Sequence, residues 1–283
     1  MNAIEIQGLN KTYPGFALSN INFTLPQGSI MGLVGENGAG KSTTIKLIMN
    51  AAVKDSGQVN VLNVDHESAE FNDIKQDIGI VLDEAYFPEV LTAKRLGKVM
   101  RSTYRNWDDD CYQNFLNSLS LPDNKEFKDF SRGMKMKLAI AVALSHKPKL
   151  LILDEATSGL DPMVRDQILD LFNDFTRDDS HSILLSSHIV SDLEKICDYI
   201  TFIHNGRLLF CEEKDRLLEE YAIVKLSQAD FEAIPEDAVK GMKESDYGVE
   251  ALVLKTGISS AFATEHTSLE DIILFLAKGD KKQ

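Results

Sequence analysis

The sequence predicts an α/β fold: a mostly parallel sheet covered by helices on both faces, with a helical subdomain set into it and a small C-terminal appendage. Three observations predict this. Short apolar runs of strand length alternate with helix-like segments. Glycine punctuates the first part of the chain and nearly vanishes from about residue 84 to 128, where helical spacing takes over. After about residue 219 the alternation weakens. A length of 283 residues suits one domain of about 200–250 residues with a smaller addition. The boundaries expected are 1–218 for the main domain, with the helical subdomain at about 84–147, and 219–283 for the appendage.

The elements follow in order. Ile4 and Ile6 alternate with polar residues, as do Ile21, Phe23 and Leu25, which is the period of half-buried strands. Ile30 to Val34 is an apolar run ending on glycine, and a helix starts near Lys41. Ile78 to Leu82 is another short strand. Asp108 can cap a helix whose Tyr112, Phe115, Leu116 and Leu119 share one face. Leu150 to Leu153 reads as a buried strand. Asp161-Pro162 is a helix start, with a capping side chain and then proline in the first turn. Ile183 to Leu185 is a strand, and Asn205-Gly206 is a hairpin turn between Ile200–Ile203 and Leu208–Phe210. In the appendage, Val249 to Leu254 is a strand. Ser268 caps a helix carrying Leu269, Ile272, Ile273 and Leu276 on one stripe, and Gly279 ends it.

Composition narrows the function. Lys plus Arg total 30 against 44 Asp plus Glu, a formal net charge of −14. Such a chain lacks the broad basic footprint that holds nucleic acid by its phosphates, although a local basic pocket is allowed. No apolar run approaches the roughly 18 residues of a membrane span; Leu138 to Leu144 is far too short. The N-terminus has neither basic flank nor apolar stretch, so no secretory signal is expected. Cys111, Cys197 and Cys211 are scattered and odd in number with no CxxC pair, which suits reduced cytosolic thiols, with metal ligation as the other reading.

The chemistry concentrates in two places. Gly35-Glu36-Asn37-Gly38-Ala39-Gly40-Lys41-Ser42 matches GxxxxGK[ST] between a strand and a helix, with Thr43 following. Glycines let successive backbone N–H groups turn inward around a phosphate, and the helix N-terminus adds positive potential. Lys41 supplies a full charge to the outer phosphates, and the Ser42 hydroxyl can ligate Mg²⁺. The second place is the run Leu150 to Leu153 ending in Asp154 and Glu155. Asp154 at the strand end can hold Mg²⁺ through water, and Glu155 can orient or deprotonate an attacking water.

These motifs lead to a family. Phe130-Ser131-Arg132-Gly133-Met134 opens a helix ahead of Asp154 and resembles the signature sequence of ABC ATPases. Ser158-Gly-Leu-Asp161 resembles that family's D-loop, and His188 after the strand Ile183–Leu185 its switch histidine. Tyr13 stands where the family places an aromatic ring on adenine; packing beneath a hairpin is its other reading. The resemblance spans about residues 3–212. It implies a P-loop ABC-type core with ATP and Mg²⁺ as ligands, and an ATPase that hydrolyses ATP to ADP and phosphate. It also implies a head-to-tail pair of cassettes, homodimer or heterodimer. Each ATP then lies between the phosphate loop of one subunit and Ser131 and Gly133 of the other.

Two departures are visible. The usual signature is LSGGQ; here Arg132 replaces the first glycine and Met134 the glutamine. The family's Q-loop glutamine should follow Leu82, where Asp83 stands, followed by Glu84; Asp83 is a candidate metal contact through water. Both changes resemble a bacterial exporter branch with SRGM-type signatures. The resemblance therefore implies the ATP-binding subunit of a transporter, cytoplasmic and held on the inner face of the membrane by a separate integral-membrane partner. Tyr86, Phe87, Val90 and Leu91 are candidates for the docking groove, or else core of the helical subdomain. A soluble ABC ATPase acting on ribosomes or DNA is the alternative. The single cassette, the lack of extended heptads and the acidic charge fit it poorly. A regulatory subunit with little hydrolysis is opposed by the presence of Glu155 and His188.

Overall fold

The computed structural model describes every residue except 85, 247, 260 and 280–283. Its contacts divide the chain into two compact units, Met1–Phe210 and Cys211–Gln283.

In the first unit, β1 (Asn2–Tyr13) and β2 (Phe16–Pro26) form a long hairpin. Ile4 faces Leu25, Ile6 faces Phe23 and Leu9 faces Ile21, and all six are buried. The alternation in the sequence is thus one face of an antiparallel pair. After β3 (Ile30–Val34) and α1 (Lys41–Ile48), β4 (Ser56–Val61) pairs with the other edge of β1, and the two-residue β5 (Val64–Asp65) completes a sheet ordered β2-β1-β4-β5. The sequence reading anticipated one sheet. It missed this second, wholly antiparallel one because β4 (SGQVNV) is half polar and carries only two fully buried residues.

The short α2 (Phe71–Ile74) leads into β6 (Ile78–Val81). The helical subdomain follows, with α3 (Ala93–Thr103), α4 (Asp109–Ser118) and α5 (Arg132–Leu144). Leu96, Tyr112, Leu116, Leu119, Phe127, Phe130 and Leu138 make its core. Each helix start is set by a side chain. Thr92 accepts from the Arg95 N–H, Asp108 from the Cys111 N–H at 2.9 Å, and Ser131 from the Met134 N–H at 3.3 Å.

The remaining strands of the unit are β7 (Leu150–Asp154), β8 (Ser182–Ser187), β9 (Tyr199–His204) and β10 (Arg207–Glu213). Between them lie α6 (Pro162–Phe175), capped by Asp161 with Pro162 in its first turn, and α7 (Val190–Ile196). The large sheet is ordered β10-β9-β3-β8-β7-β6, and the five strands from β9 to β6 run parallel. Asn205 and Gly206, with φ of 48° and 75°, turn the chain back into β10, so the sheet is mixed at that edge. β3, β7 and β8 are buried along their whole length, as strands covered on both faces must be. Val34 is level with Ser187, and Asp154 with Ser186. The segments leaving β3, β7 and β8 therefore emerge together at the carboxyl edge, where such sheets place ligands.

The second unit begins with the end of β10 and α8 (Lys214–Glu220). β11 (Tyr221–Leu226), the short α9 (Gln228–Phe231), β12 (Val239–Ser245) and β13 (Gly248–Leu254) follow, and the strands form an antiparallel sheet ordered β11-β13-β12. α10 (Leu269–Gly279) packs on β12 and β13. Ser268 accepts from the Asp271 N–H at 3.1 Å while Asp271 accepts from the Ser268 N–H at 3.1 Å, a reciprocal cap. Leu269, Ile272 and Ile273 are buried as expected; Leu276 is half-buried, and Phe275 and Ala277 join the buried face. The sequence reading found β13 and α10 but not β11 or β12.

Candidate functional site

The phosphate loop leaves β3 at Gly35 and ends at Gly40, the residue before α1. Side chains are excluded there by close approach. A Cβ on Gly35 would lie 2.3 Å from the Ile203 carbonyl oxygen, and one on Gly40 would lie 2.5 Å from Leu18 Cδ2, with Gly40 at φ +118°. No side chain caps α1, so its first-turn N–H groups face the loop without a built-in acceptor. Glu36, Asn37, Gly38 and Ser42 are exposed, Thr43 is half-buried and Ala39 is buried. Lys41 is only 6% exposed, and a buried ammonium needs partners. It donates to the carbonyls of Gly35 at 2.8 Å and Glu36 at 3.4 Å, and lies 3.6 Å from Glu155 Oε1. A triphosphate entering the loop can take over these bonds.

Two strands away, β7 delivers Asp154 and Glu155. Asp154 is 5% exposed, and its Oδ1 accepts from the Ser186 hydroxyl at 2.5 Å. The next backbone N–H, of Glu155, donates to the Ser186 carbonyl at 3.1 Å and to its Oγ at 3.2 Å. One serine on β8 thus fixes both acidic residues. Glu155 adopts φ +53°, a left-handed backbone that a non-glycine residue holds only at a cost of order 1–3 kcal/mol. Strain of this kind collects where a side chain must be aimed. Here it directs the carboxylate between Lys41 and His188, whose Nδ1–H donates to Glu155 Oε2 at 2.6 Å. Nδ1 must be the protonated nitrogen, because a carboxylate only accepts. His188 is half-exposed on the residue after β8.

Lys41, Ser42, Thr43, Glu155 and His188 line one cavity of about 660 Å³, together with Gly15, Phe16, Asp83, Arg132 and Ser158, and Asp154 is not among its lining residues. Asp83 stands two residues beyond β6 and is half-exposed. Arg132, the first residue of α5, reaches back to it, with Nη2 3.2 Å from Oδ1. Ser131 and Gly133 are not among the cavity's lining residues; Ser131 is exposed. Tyr13 ends β1 at 39% exposure with the Lys11 ammonium 5.3 Å from its ring centre, and it does not line the cavity. Phe16 does, and its ring lies against Gly40. Phe16 and Ser186 escaped the sequence reading, whereas Ser158 opens the D-loop motif read from it. The signal for Phe16 was an aromatic residue directly after the Pro14-Gly15 turn. Ser186 has no local signal, because its role comes from the register of β8 against β7.

Beside this cavity lies a groove lined by Asp83, Glu84, Tyr86, Phe87, Phe127 and Arg132 among others. Tyr86 is 77% and Val90 62% exposed, while Phe87 and Leu91 pack on the subdomain core. Phe87 meets Phe127 edge to face at 5.5 Å.

Comparison with known proteins agrees with this geometry. Residues 18–158 match the family model described as "ABC transporter". The chain is 31% identical over 225 residues to the ABC transporter ATP-binding protein YtrB of Bacillus subtilis (strain 168), covering 79% of this chain and 76% of that one. It is 35% identical over 217 residues to the lantibiotic transport ATP-binding protein SrtF of Streptococcus pyogenes, covering 75% and 91%. A solved structure of an ATP-binding subunit of an ABC transporter superposes with a TM-score of 0.70 at 26% identity, covering 77% of this chain and 92% of that one. With the glycine loop, Glu155 and His188 gathered in one cavity and Asp154 buried at the end of β7, the chain belongs to the ABC transporter family, as an ATP-binding subunit that hydrolyses ATP.

Proposed function

We propose that this chain drives export across a membrane, through a separate integral-membrane partner, by closing and reopening a pair of cassettes around ATP. The observation that carries the proposal is Glu155, held between Lys41 at 3.6 Å and His188 at 2.6 Å at the edge of the phosphate loop. In this reading the loop amides from Gly35 to Ser42, with Thr43 behind them, bind the phosphates. Lys41 turns from the loop carbonyls to the outer phosphates. Glu155, freed of Lys41, accepts a proton from the water that attacks the γ-phosphorus as the bond to ADP breaks. His188 keeps Glu155 oriented through Nδ1–H; its Nε2 accepts from the water, or donates to the γ-phosphate when the ring carries both protons. A positioned base contributes typically 10²–10⁴-fold.

The donor set fits Mg²⁺: Ser42 and Asp154 offer only oxygen ligands, and Ser186 already orients the Asp154 carboxylate. When bound, the ion would neutralise phosphate charge. On this reading Asp83 would reach the ion's water shell. Ser131 and Gly133, outside their own subunit's cavity, are free to meet the γ-phosphate of a facing cassette, where the capped start of α5 offers backbone N–H groups. Tyr13 offers a ring to adenine. Export is supported by the likeness to SrtF, a lantibiotic transport protein, and docking by the groove at Tyr86 and Phe87. Among the described residues no helix is long and apolar enough to cross a membrane, so on this reading the chain sits at the inner membrane face through its partner.

The test is direct. Glu155→Gln should bind ATP and turn it over at least about 100-fold more slowly, and Lys41→Ala should lose ATP binding. Affinity capture from membranes should bring down an integral-membrane protein. Normal turnover in Glu155→Gln would remove the catalytic assignment, and a fully soluble complex would remove the transport assignment.

A further inference from the structure

Two residues line both the phosphate cavity and the neighbouring groove: Asp83 and Arg132. They are 49 residues apart in sequence, one just beyond β6 and the other at the start of α5, and their ion pair at 3.2 Å lies between the two spaces. The Arg132 guanidinium also lies over the D-loop. A Cβ on Gly159 would come within 3.2 Å of its Cζ and Nη1, so the glycine at φ +70° leaves the room that the guanidinium fills.

We propose that the Arg132–Asp83 pair is a charge gate on the nucleotide site, closed without nucleotide and opened by the triphosphate. This rests on the reading of the cavity as the triphosphate site. Asp83 and the triphosphate compete for Arg132. A carboxylate facing a phosphate pocket repels an incoming triphosphate, and unlike an amide it has no N–H to offer the ligand. Arg132 neutralises that carboxylate. Both side chains are more than half exposed, so the pair is weak and cheap to open. The guanidinium fork matches phosphate as well as carboxylate, and the triphosphate carries the greater charge. Nucleotide therefore draws Arg132 from Asp83. The released carboxylate is left to repel bare phosphate, or, when a divalent cation accompanies the nucleotide, to face that cation. Because the pair walls the groove as well, opening it changes the lining of the groove at the same moment. Binding in either space is then linked to binding in the other.

The experiment is a double-mutant cycle on the full chain, reading equilibrium ATP affinity rather than turnover, first in chelator and then with Mg²⁺. The variants are Asp83→Asn, Arg132→Ala and the two combined, all at exposed positions. In chelator, Asp83→Asn should tighten ATP about fivefold or more, since both the repulsion and the competing partner are gone. Removing Arg132 should cost more affinity in the Asp83→Asn background than in the parent, where part of the loss is returned by not having to open the pair. With Mg²⁺ the advantage of Asp83→Asn should shrink or reverse, a change that a merely structural role would not produce. An additive cycle, or metal-free affinity unmoved by Asp83→Asn, overturns the gate. Lys41→Ala separates the two levels: if it loses ATP while the cycle is additive, only the gate falls; if it binds ATP like the parent, the site itself has been misread and the gate falls with it.

Discussion

Tyr13 and Phe16 face each other across the turn that joins β1 and β2, and the proposed function gives them different work. Tyr13 is exposed at the end of β1, with the Lys11 ammonium over its ring. Phe16 sits across the turn, lines the cavity and packs on Gly40. Stacking of a base on an aromatic ring is worth about 1–3 kcal/mol, so Tyr13→Ala should weaken ATP by about 5- to 150-fold. It should leave the affinity for inorganic tripolyphosphate, which has no base, unchanged. Phe16→Ala should weaken both ligands, because it loosens the loop that holds phosphate. Calorimetric titration of the two ligands separates the roles, and equal losses for tripolyphosphate in both variants would remove Tyr13 from the base. Gly35 makes the second residue-scale test. With the Ile203 carbonyl oxygen 2.3 Å from where a Cβ would stand, Gly35→Ala must push β9 from the loop. Overpacking of this kind costs about 1–3 kcal/mol, to be read from the urea midpoint at constant slope, and an unchanged midpoint would mean the loop yields freely.

At the scale of elements, α5 is tied to the sheet by a histidine. His146, just beyond the helix, is wholly buried, stacks on Tyr104 at 3.9 Å and contacts the Ile78 carbonyl of β6 at 3.1 Å. Burial holds its pKa below the ordinary value of 6.5, outweighing the backbone carbonyls that favour the charged form. The folded chain therefore binds this proton less readily than the unfolded chain. Stability from this group is complete above about pH 6.5 and is lost as pH falls from there towards the folded pKa, with a slope of at most about 1.4 kcal/mol per pH unit. Denaturation series at pH 7.5, 6.5 and 5.5 should show the midpoint falling. His146→Gln should flatten that fall whatever its own stability, and an identical slope in the variant would exclude the histidine. How far the elements were legible follows the same physics. Caps and glycine loops are local, so Asp108, Ser131, Asp161 and the run from Gly35 to Ser42 could be read from neighbours in sequence. Strands buried on both faces, such as β7 and β8, announce themselves as apolar runs. β4 and β12 do not, since each is half polar and earns its place only from a partner strand. The pairing of Arg132 with Asp83 and the bond from Ser186 to Asp154 depend on register across the sheet and on the path of α5. No spacing in the sequence encodes either.

At the scale of the whole molecule, net charge works against the pairing of cassettes proposed above. Each chain carries −14, and a closed pair brings two such charges face to face. Nucleotide supplies the attraction, since the proposed pair grips each γ-phosphate from Ser131 on one side and the phosphate loop on the other. Blocking hydrolysis with Glu155→Gln should accumulate that pair, and light scattering should report a doubling of mass with ATP and none without it. The combination Lys41→Ala with Glu155→Gln, which cannot hold the phosphates, should stay monomeric. Salt gives the sign of the electrostatic part. At about 0.01 M ionic strength the screening length is roughly 30 Å, long enough for the two acidic surfaces to repel across the seam; at about 0.15 M it is roughly 8 Å and the repulsion is confined to near contacts. The dimer fraction of Glu155→Gln with ATP should therefore rise from low to physiological salt. Were it to fall instead, attraction between unlike surface charges would hold the pair together, and the phosphate grip would not be its main bond. Dimerisation of the double variant to the same extent would show that the two cassettes meet without the nucleotide between them.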